Sequence, residues 1–331
     1  MASMSNERAT IRAPDDPSAS AQDEPFFLVG SERSGTTLLR LMLAHHGRIE
    51  CAPEFEFLVE QVPEAGWPAL EDYYEWLDTN RIFVPHAFAI DRALDYPALT
   101  KSFVAQYCRR SAKPIHGATC HKHFDRLLRI WPRARLVHLL RDGRDVARSC
   151  IGMGWAGNVW HGAQRWIEAE ELWAALVPVL PPAQRFELRY EDLIRRPEQE
   201  LARLCAFLGT DFDPAMLDYS RDSSYERPDP KLIGQWRKKL SPAELALLEA
   251  RIGPMLRARG YEESGVPAAR VGAWRRFVLA LEDRRGRFRF RRERYGLAHV
   301  LAARLARTLG LKSWSKRLLR EQNRIDDRHL A

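Results

Sequence analysis

The chain has 331 residues, enough for one large α/β domain with appendages and a sizeable core. Its net charge of +8 is uneven: Arg270 to Ala331 holds 18 Lys/Arg against 6 Asp/Glu, and taking that +12 from the total leaves −4 on the first 269 residues, so the basicity says nothing about what the body binds. Five scattered Cys without a C-x-x-C exclude a disulfide framework or zinc ribbon and fit a reducing compartment, and no apolar run approaches the roughly 18 residues of a membrane span. Residues 1–24 are polar, rich in Ser, Pro, Asp and Ala, and lack an apolar signal core; they read as a disordered leader. The body should start at Pro25 with an apolar strand, Phe26-Phe27-Leu28-Val29. Gly30-Ser31-Glu32-Arg33-Ser34-Gly35-Thr36-Thr37 follows, and Leu38 to Leu43 has helical character.

A strand, glycine-rich turn and helix in that order aim backbone N–H groups and a helix N-terminus at one point, which favours a phosphate. The spacing nearly matches G-x-x-x-x-G-K-[ST], but Thr36 stands where the lysine belongs and the cation is Arg33, inside the loop. That argues for a phosphate cradle built for something other than nucleoside triphosphate hydrolysis.

An aromatic-rich stretch from Glu54 to Pro114 comes next. A weak strand at Ile115–Thr119 and stronger ones at Arg135–Leu140 and Arg185–Tyr190 alternate with helical patterns at Phe124–Trp131, Arg144–Ile151, Ala163–Val179 and Pro197–Leu208. Such alternation implies right-handed crossovers and a parallel sheet covered on both faces, with ligands beyond the carboxyl ends of the strands. Ser241-Pro242-Ala243-Glu244 is a capping box for a helix running to about Arg259. The body then spans 25–262, and 263–331 forms a linker and a basic amphipathic helical tail with apolar spacing at Leu297, Val300, Leu301, Leu305 and Leu309.

A second anion site follows the strongest strand, at Arg141-Asp142-Gly143-Arg144-Asp145-Val146-Ala147-Arg148-Ser149. The Arg141 fork and the Ser149 hydroxyl suit a phosphate monoester. The rival reading takes Asp142 as a magnesium-holding Walker B carboxylate and makes the protein a kinase; a non-catalytic nucleotide-binding protein tethered to a membrane is the other alternative.

Together these motifs resemble the PAPS-dependent sulfotransferases, where PAPS is 3′-phosphoadenosine 5′-phosphosulfate. The family's [KR]-[ST]-G-T-[TS] loop is matched by Arg33-Ser34-Gly35-Thr36-Thr37, and its R-[DN]-x-[RK]-D-x-x-x-S element by Arg141 through Ser149. Tyr190-Glu191-Asp192-Leu193 with Phe207-Leu208-Gly209, and Ile233-Gly234-Gln235-Trp236, match a third and a fourth element, so the likeness runs from about Pro25 to Tyr261. The loop has the form of bacterial and Golgi-type members.

The resemblance implies a P-loop-like three-layer sandwich, a central parallel sheet with helices on both faces. It implies sulfuryl transfer from PAPS, without metal, to a hydroxyl or amine of a sugar, lipid, peptide or small metabolite. Residues Arg33 to Thr37 then bind the 5′-phosphosulfate, Arg141 and Ser149 the 3′-phosphate, and Tyr190 lies near the adenine. Glu54 is the expected base, with Glu56 its near rival and His121 or His123 a second candidate. Lys122 stands with Arg33 as a stabiliser of the transferring group. The aromatic stretch and Trp155 to Trp166 wall the acceptor pocket, although most of those rings are expected in the core. The expected location is the cytoplasm, with the basic tail touching a membrane or other anionic surface, or a second copy of the chain.

Overall fold

The structure, a computed structural model, describes residues 24–221 and 229–330. The expected leader therefore lies outside the described residues except for Glu24. Five strands form one wholly parallel sheet: β1 (Phe26–Val29), β2 (Ile49–Glu54), β3 (Ile115–Cys120), β4 (Arg135–Leu140) and β5 (Arg185–Arg189), in the order β2-β3-β1-β4-β5. Every residue of the central strands β1 and β4 is buried because both sheet faces are covered, and β1 is apolar throughout. Alternate residues of β1 feed opposite cores. Phe27 and Val29 join one cluster with Leu136, while Phe26 and Leu28 join the other with Val137 and Leu139.

The main helices are α1 (Thr36–His45), α2 (Tyr96–Cys108), α3 (Gly143–Gly152), α4 (Gln164–Leu176), α5 (Tyr190–Arg195), α6 (Pro197–Leu208), α7 (Pro242–Ala258), α8 (Ala273–Tyr295), α9 (Leu297–Thr308) and α10 (Lys312–Leu330). Residues of α1, α5 and α6 pack on one face of the sheet and those of α2 and α4 on the other, which makes the three-layer α/β sandwich of the P-loop-like type. The expected capping box is present: Ser241 Oγ accepts from Glu244 N, and Glu244 accepts from Ser241 N at 2.8 Å.

Two details depart from the sequence reading. First, β2 is an additional edge strand. Its ladder shifts register between Ala52 and Glu54, and Pro53 is tolerated there because an edge needs fewer donors. Second, the aromatic stretch does not wall a pocket: Phe55, Phe57, Phe83, Phe88 and Phe103 pack ring against ring and are buried, the core role expected of most of its rings. None of its rings lines the cavities at the sheet's carboxyl edge.

The basic tail folds back on the body. Asp283 Oδ1 accepts from Gly157 N at 2.8 Å, Asn158 Nδ2 donates to Leu279 O at 2.8 Å, and Asn323 Nδ2 donates to Thr79 O at 3.1 Å. The backbones of Gly157 and Gly286 meet so closely that a Cβ on Gly286 would lie 2.5 Å from Gly157 Cα. The Arg287–Arg291 alternation is helical, so its two rings part: Phe290 covers Gly154, while Phe288 is exposed.

Candidate active site

The β1–α1 turn needs its glycines. Gly30 has φ 135°, and a Cβ there would meet Leu139 O at 2.6 Å. Gly35 has φ 98°, and a Cβ there would strike the Tyr190 ring at 2.4 Å. Arg33 also adopts φ 70°, a conformation that costs a non-glycine residue energy and clusters at functional sites. Gly35 caps α1 without a side-chain bond, and the first turn carries no acid, so its N–H groups remain free for an anion.

The second motif arrives from β4. Arg141 Nη1 donates to Arg33 O at 3.2 Å and Nη2 to Leu232 O at 3.3 Å, while its guanidinium lies 4.1 Å from the Tyr190 ring centroid. Arg33 Nε donates to Ser149 Oγ at 2.9 Å. Arg33, Arg141 and Ser149 thus meet in one cationic corner where the two motifs join. Arg141 Nε is buried and has no hydrogen-bond partner among the described residues. Leu232, beside the corner, belongs to a segment anchored by the fourth motif: Gly234 N and Trp236 N donate to Asp145 at 3.0 and 2.8 Å.

Asp142 accepts from Arg144 through both oxygens and from Trp236 Nε1 at 2.9 Å. Arg144 also pairs with Glu249 at 2.7 Å. A carboxylate committed to this buried network braces the β4–α3 turn, which removes the Walker B reading of Asp142. Among the described residues, no three His, Cys, Asp or Glu side chains gather closely enough to hold a metal.

His121, just past β3, reaches the loop from the other side. Its Nδ1 lies 2.9 Å from Gly30 O, and because a carbonyl only accepts, Nδ1 carries a proton. Nε2 then faces Thr36 Oγ1 at 3.4 Å and Glu54 Oε1 at 3.8 Å. Burial alone would lower the His121 pKa, but the nearby Glu56, Glu32 and Glu54 carboxylates and the Gly30 carbonyl outweigh it and hold it raised. Glu56 is also buried, and desolvation lifts it to about 7 against the pull of His121. Its Oε1 accepts from His121 N at 3.1 Å, so Glu56 sits beneath His121 and not in the cavity.

The loop, Glu54, His121, Arg141 and Tyr190 line a cavity of about 210 Å³. An adjoining cavity of about 730 Å³ shares Glu32, His121 and Trp155 with it and is lined further by Lys122, His123 and Arg165. Lys122 Nζ lies 3.5 Å from Glu60 Oε1 and is absent from the smaller cavity. His123 is held low by burial and then by Arg126. The structure therefore gathers Glu54, His121, Arg33, Arg141, Ser149, Gly35, Thr36, Thr37 and Tyr190 around the loop, with the Ser34 hydroxyl turned to Ser31 at 2.7 Å. It leaves Lys122 and His123 in the larger cavity. Sequence reasoning missed Glu32, which pairs with Arg165 where the two cavities meet and which no spacing marks. Trp155, expected at the acceptor pocket, lines both cavities under the Arg165 guanidinium at 4.4 Å.

Residues 25–214 match the sulfotransferase family. The chain belongs to that family. Its reaction is sulfuryl transfer from PAPS to an acceptor. This sulfotransferase is 22% identical to protein-tyrosine sulfotransferase 2 of Gallus gallus over 269 residues, covering 73% of this chain and 70% of the relative. It is 25% identical over 315 residues to the omega-hydroxy-beta-dihydromenaquinone-9 sulfotransferase Stf3 of Mycobacterium tuberculosis, covering 75% and 78%. Among solved structures, the sulfotransferase domain of the Synechococcus PCC 7002 olefin synthase shares its fold, with a TM-score of 0.51, 22% identity, and coverage of 72% of this chain and 95% of that one. The sulfotransferase's residues fit the donor on their own terms: an uncapped helix start, two glycines whose Cβ atoms would obstruct the loop, and a buried Arg141 Nε awaiting an acceptor. No described helix is long and apolar enough to cross a membrane.

Proposed function

We propose that this sulfotransferase binds PAPS in the smaller cavity and sulfates a hydroxyl presented from the larger one, with Glu54 as base. The carrying observation is the convergence of Thr36, His121 and Glu54 at the junction of the two cavities. The Thr36 and Thr37 N–H groups would hold the 5′-phosphosulfate, and Arg141, Ser149 and Arg33 the 3′-phosphate, with the Tyr190 ring near the adenine. When bound, PAPS supplies the sulfuryl group and a bisphosphate leaving group.

His121, protonated at Nδ1 and held raised by its carboxylates, presents a second N–H from Nε2 where the cradle lacks a lysine. A preorganised cation there stabilises charge that develops on oxygen. An imidazole already carrying its proton is a poor base, which leaves Glu54, half exposed at the mouth, to take the proton from the acceptor hydroxyl. Lys122 and His123 would contact the acceptor. The relatives' names specify a protein tyrosine and a terminal hydroxyl of a lipid quinone. A hydroxyl is their common chemistry, and it is the acceptor group we assign. Calorimetry with adenosine 3′,5′-bisphosphate against AMP, followed by labelled transfer from PAPS, tests the reading; equal binding of AMP would remove the 3′-phosphate site.

We also propose that the outward face of the tail rests on an anionic bilayer. Trp274, Phe277 and Leu281 on α8, and Leu297, Leu301 and Leu305 on α9 with Leu309 just past its end, are exposed at helical spacing and flanked by arginines. The chain should sediment with phosphatidylserine-containing vesicles and not with phosphatidylcholine alone. A salt-resistant dimer with no vesicle binding would assign that face to a second copy instead.

A further inference from the structure

A third cavity, of about 360 Å³, lies where the tail docks on the body. Arg81 and Arg165 reach it from the body and Arg287, Arg291 and Arg294 from α8, with Asp326 of α10 as the one lining carboxylate. Five guanidinium groups in a concave, partly desolvated space repel each other and draw anions. Four of them have carboxylate partners. Arg165 pairs with Glu32, Arg287 with Asp283 at 2.8 Å, Arg294 with Asp326 at 3.3 Å and Arg81 with Asp327 at 3.5 Å. Each guanidinium carries five N–H donors, so these pairs leave donors over. Arg287 Nε is buried without a hydrogen-bond partner, and Arg291 has no ion-pair partner among the described residues.

The chamber continues the acceptor cavity, since Trp155, Arg165 and Arg287 line both. The acceptor cavity in turn shares Glu32, His121 and Trp155 with the donor cavity. The three are joined in the order donor, acceptor, arginine chamber. We infer that the chamber binds an oxyanion, carboxylate or phosphate, carried by the acceptor at the end remote from its hydroxyl. The C-terminal helices are then part of the substrate site. This inference rests on the acceptor reading above. Arginine suits the task because its planar fork meets either oxyanion with two parallel bonds.

The test loads the full chain with saturating adenosine 3′,5′-bisphosphate, so that the donor site is filled, and titrates inorganic phosphate and then acetate by calorimetry. One equivalent of phosphate or acetate should bind. Phosphate alone marks a phosphate-bearing acceptor and acetate alone a carboxylate-bearing one. Arg291→Glu, an exposed position that should leave folding intact, should weaken this binding at least ~10-fold and leave bisphosphate binding unchanged. Binding of neither anion, or equal binding by the variant, overturns the inference. A protein that fails to bind the bisphosphate yet shows Arg291-dependent phosphate binding would lose the donor reading and keep the chamber. In labelled transfer to a pool of hydroxyl compounds split by charge, product should form from the anionic fraction, and Arg291→Glu should raise KM while kcat holds. Product confined to the neutral fraction would remove the acceptor assignment.

Discussion

Arg33 and Ser149 stand 116 positions apart in the chain, and Arg33 Nε donates to Ser149 Oγ at 2.9 Å. One belongs to the loop after β1 and the other to the helix after β4, so this bond ties the two phosphate motifs into a single corner. Arg141 completes it by donating to the Arg33 carbonyl and lying over the Tyr190 ring. Arg33 makes this contact from a positive φ of 70°, a conformation a non-glycine residue rarely holds.

Arg141→Ala should weaken adenosine 3′,5′-bisphosphate binding about 10- to 100-fold, the loss of one charge-assisted contact of roughly 1.5–3 kcal/mol. Ser149→Ala removes a neutral partner and should cost less. Calorimetry on both variants checks the order. Wild-type affinity in Arg141→Ala would make that residue a brace for Arg33 and Leu232 only.

Glu54→Gln keeps the shape and removes the basicity. Labelled transfer should fall about 10²- to 10⁴-fold while bisphosphate affinity holds. His121→Gln should also slow transfer, through lost stabilisation, but by less than Glu54→Gln. An active Glu54→Gln enzyme beside a dead His121 variant would exchange the two roles.

The parallel sheet was legible because β1 is an unbroken apolar run, β4 is mostly apolar, and helical patterns lie between the strands. The edge strand β2 was not, since Glu50 and Pro53 break its pattern and only pairing with β3 makes it a strand. The glycine-rich loop, Arg141 and Ser149 could be singled out from motif spacing, whereas Glu54 followed only from the family resemblance. The Nδ1 bond from His121 to Gly30, the pairing of Glu32 with Arg165, and the docking of α8 against Gly157 depend on contacts across the fold, and sequence periodicity carries no record of those. The +12 tail suggested a separate appendage for the same reason. Charge and helical period describe its outer face, while Asp283, Gly286 and Phe290 fix its inner one.

Stability should fall as pH rises. Glu56 titrates at about 7 in the fold, against 4.5 ordinarily, and His121 also sits above its usual value. The Glu56 contribution is complete below about pH 4.5 and is lost as pH climbs through 7, while that of His121, raised above its ordinary value by the nearby carboxylates, is lost at higher pH than an exposed His would lose it. The melting temperature of Glu56→Gln should therefore vary less than the wild type's across this window. A wild type and variant with parallel Tm-against-pH curves would show that Glu56 ionises freely in the fold.

Gly286→Leu should pry α8 from the body, because even a Cβ at that position lies 2.5 Å from Gly157 Cα. Limited proteolysis should then cut between residues 262 and 295, while bisphosphate binding, upstream of the tail, persists. Resistance equal to the wild type's would show that the helix can shift to admit the side chain.

The contact between Gly157 and Gly286 also orders events in time. During synthesis the network that braces the donor cradle is complete once Trp236 and Glu249 have emerged to meet Asp142, Asp145 and Arg144, but the chamber of arginines waits for α8 and α10. At ribosomal rates of about 5–20 residues per second, the gap is several seconds. On the proposed assignments, the nascent protein would throughout that gap hold its nucleotide without the wall that selects an acceptor, which the last helix completes.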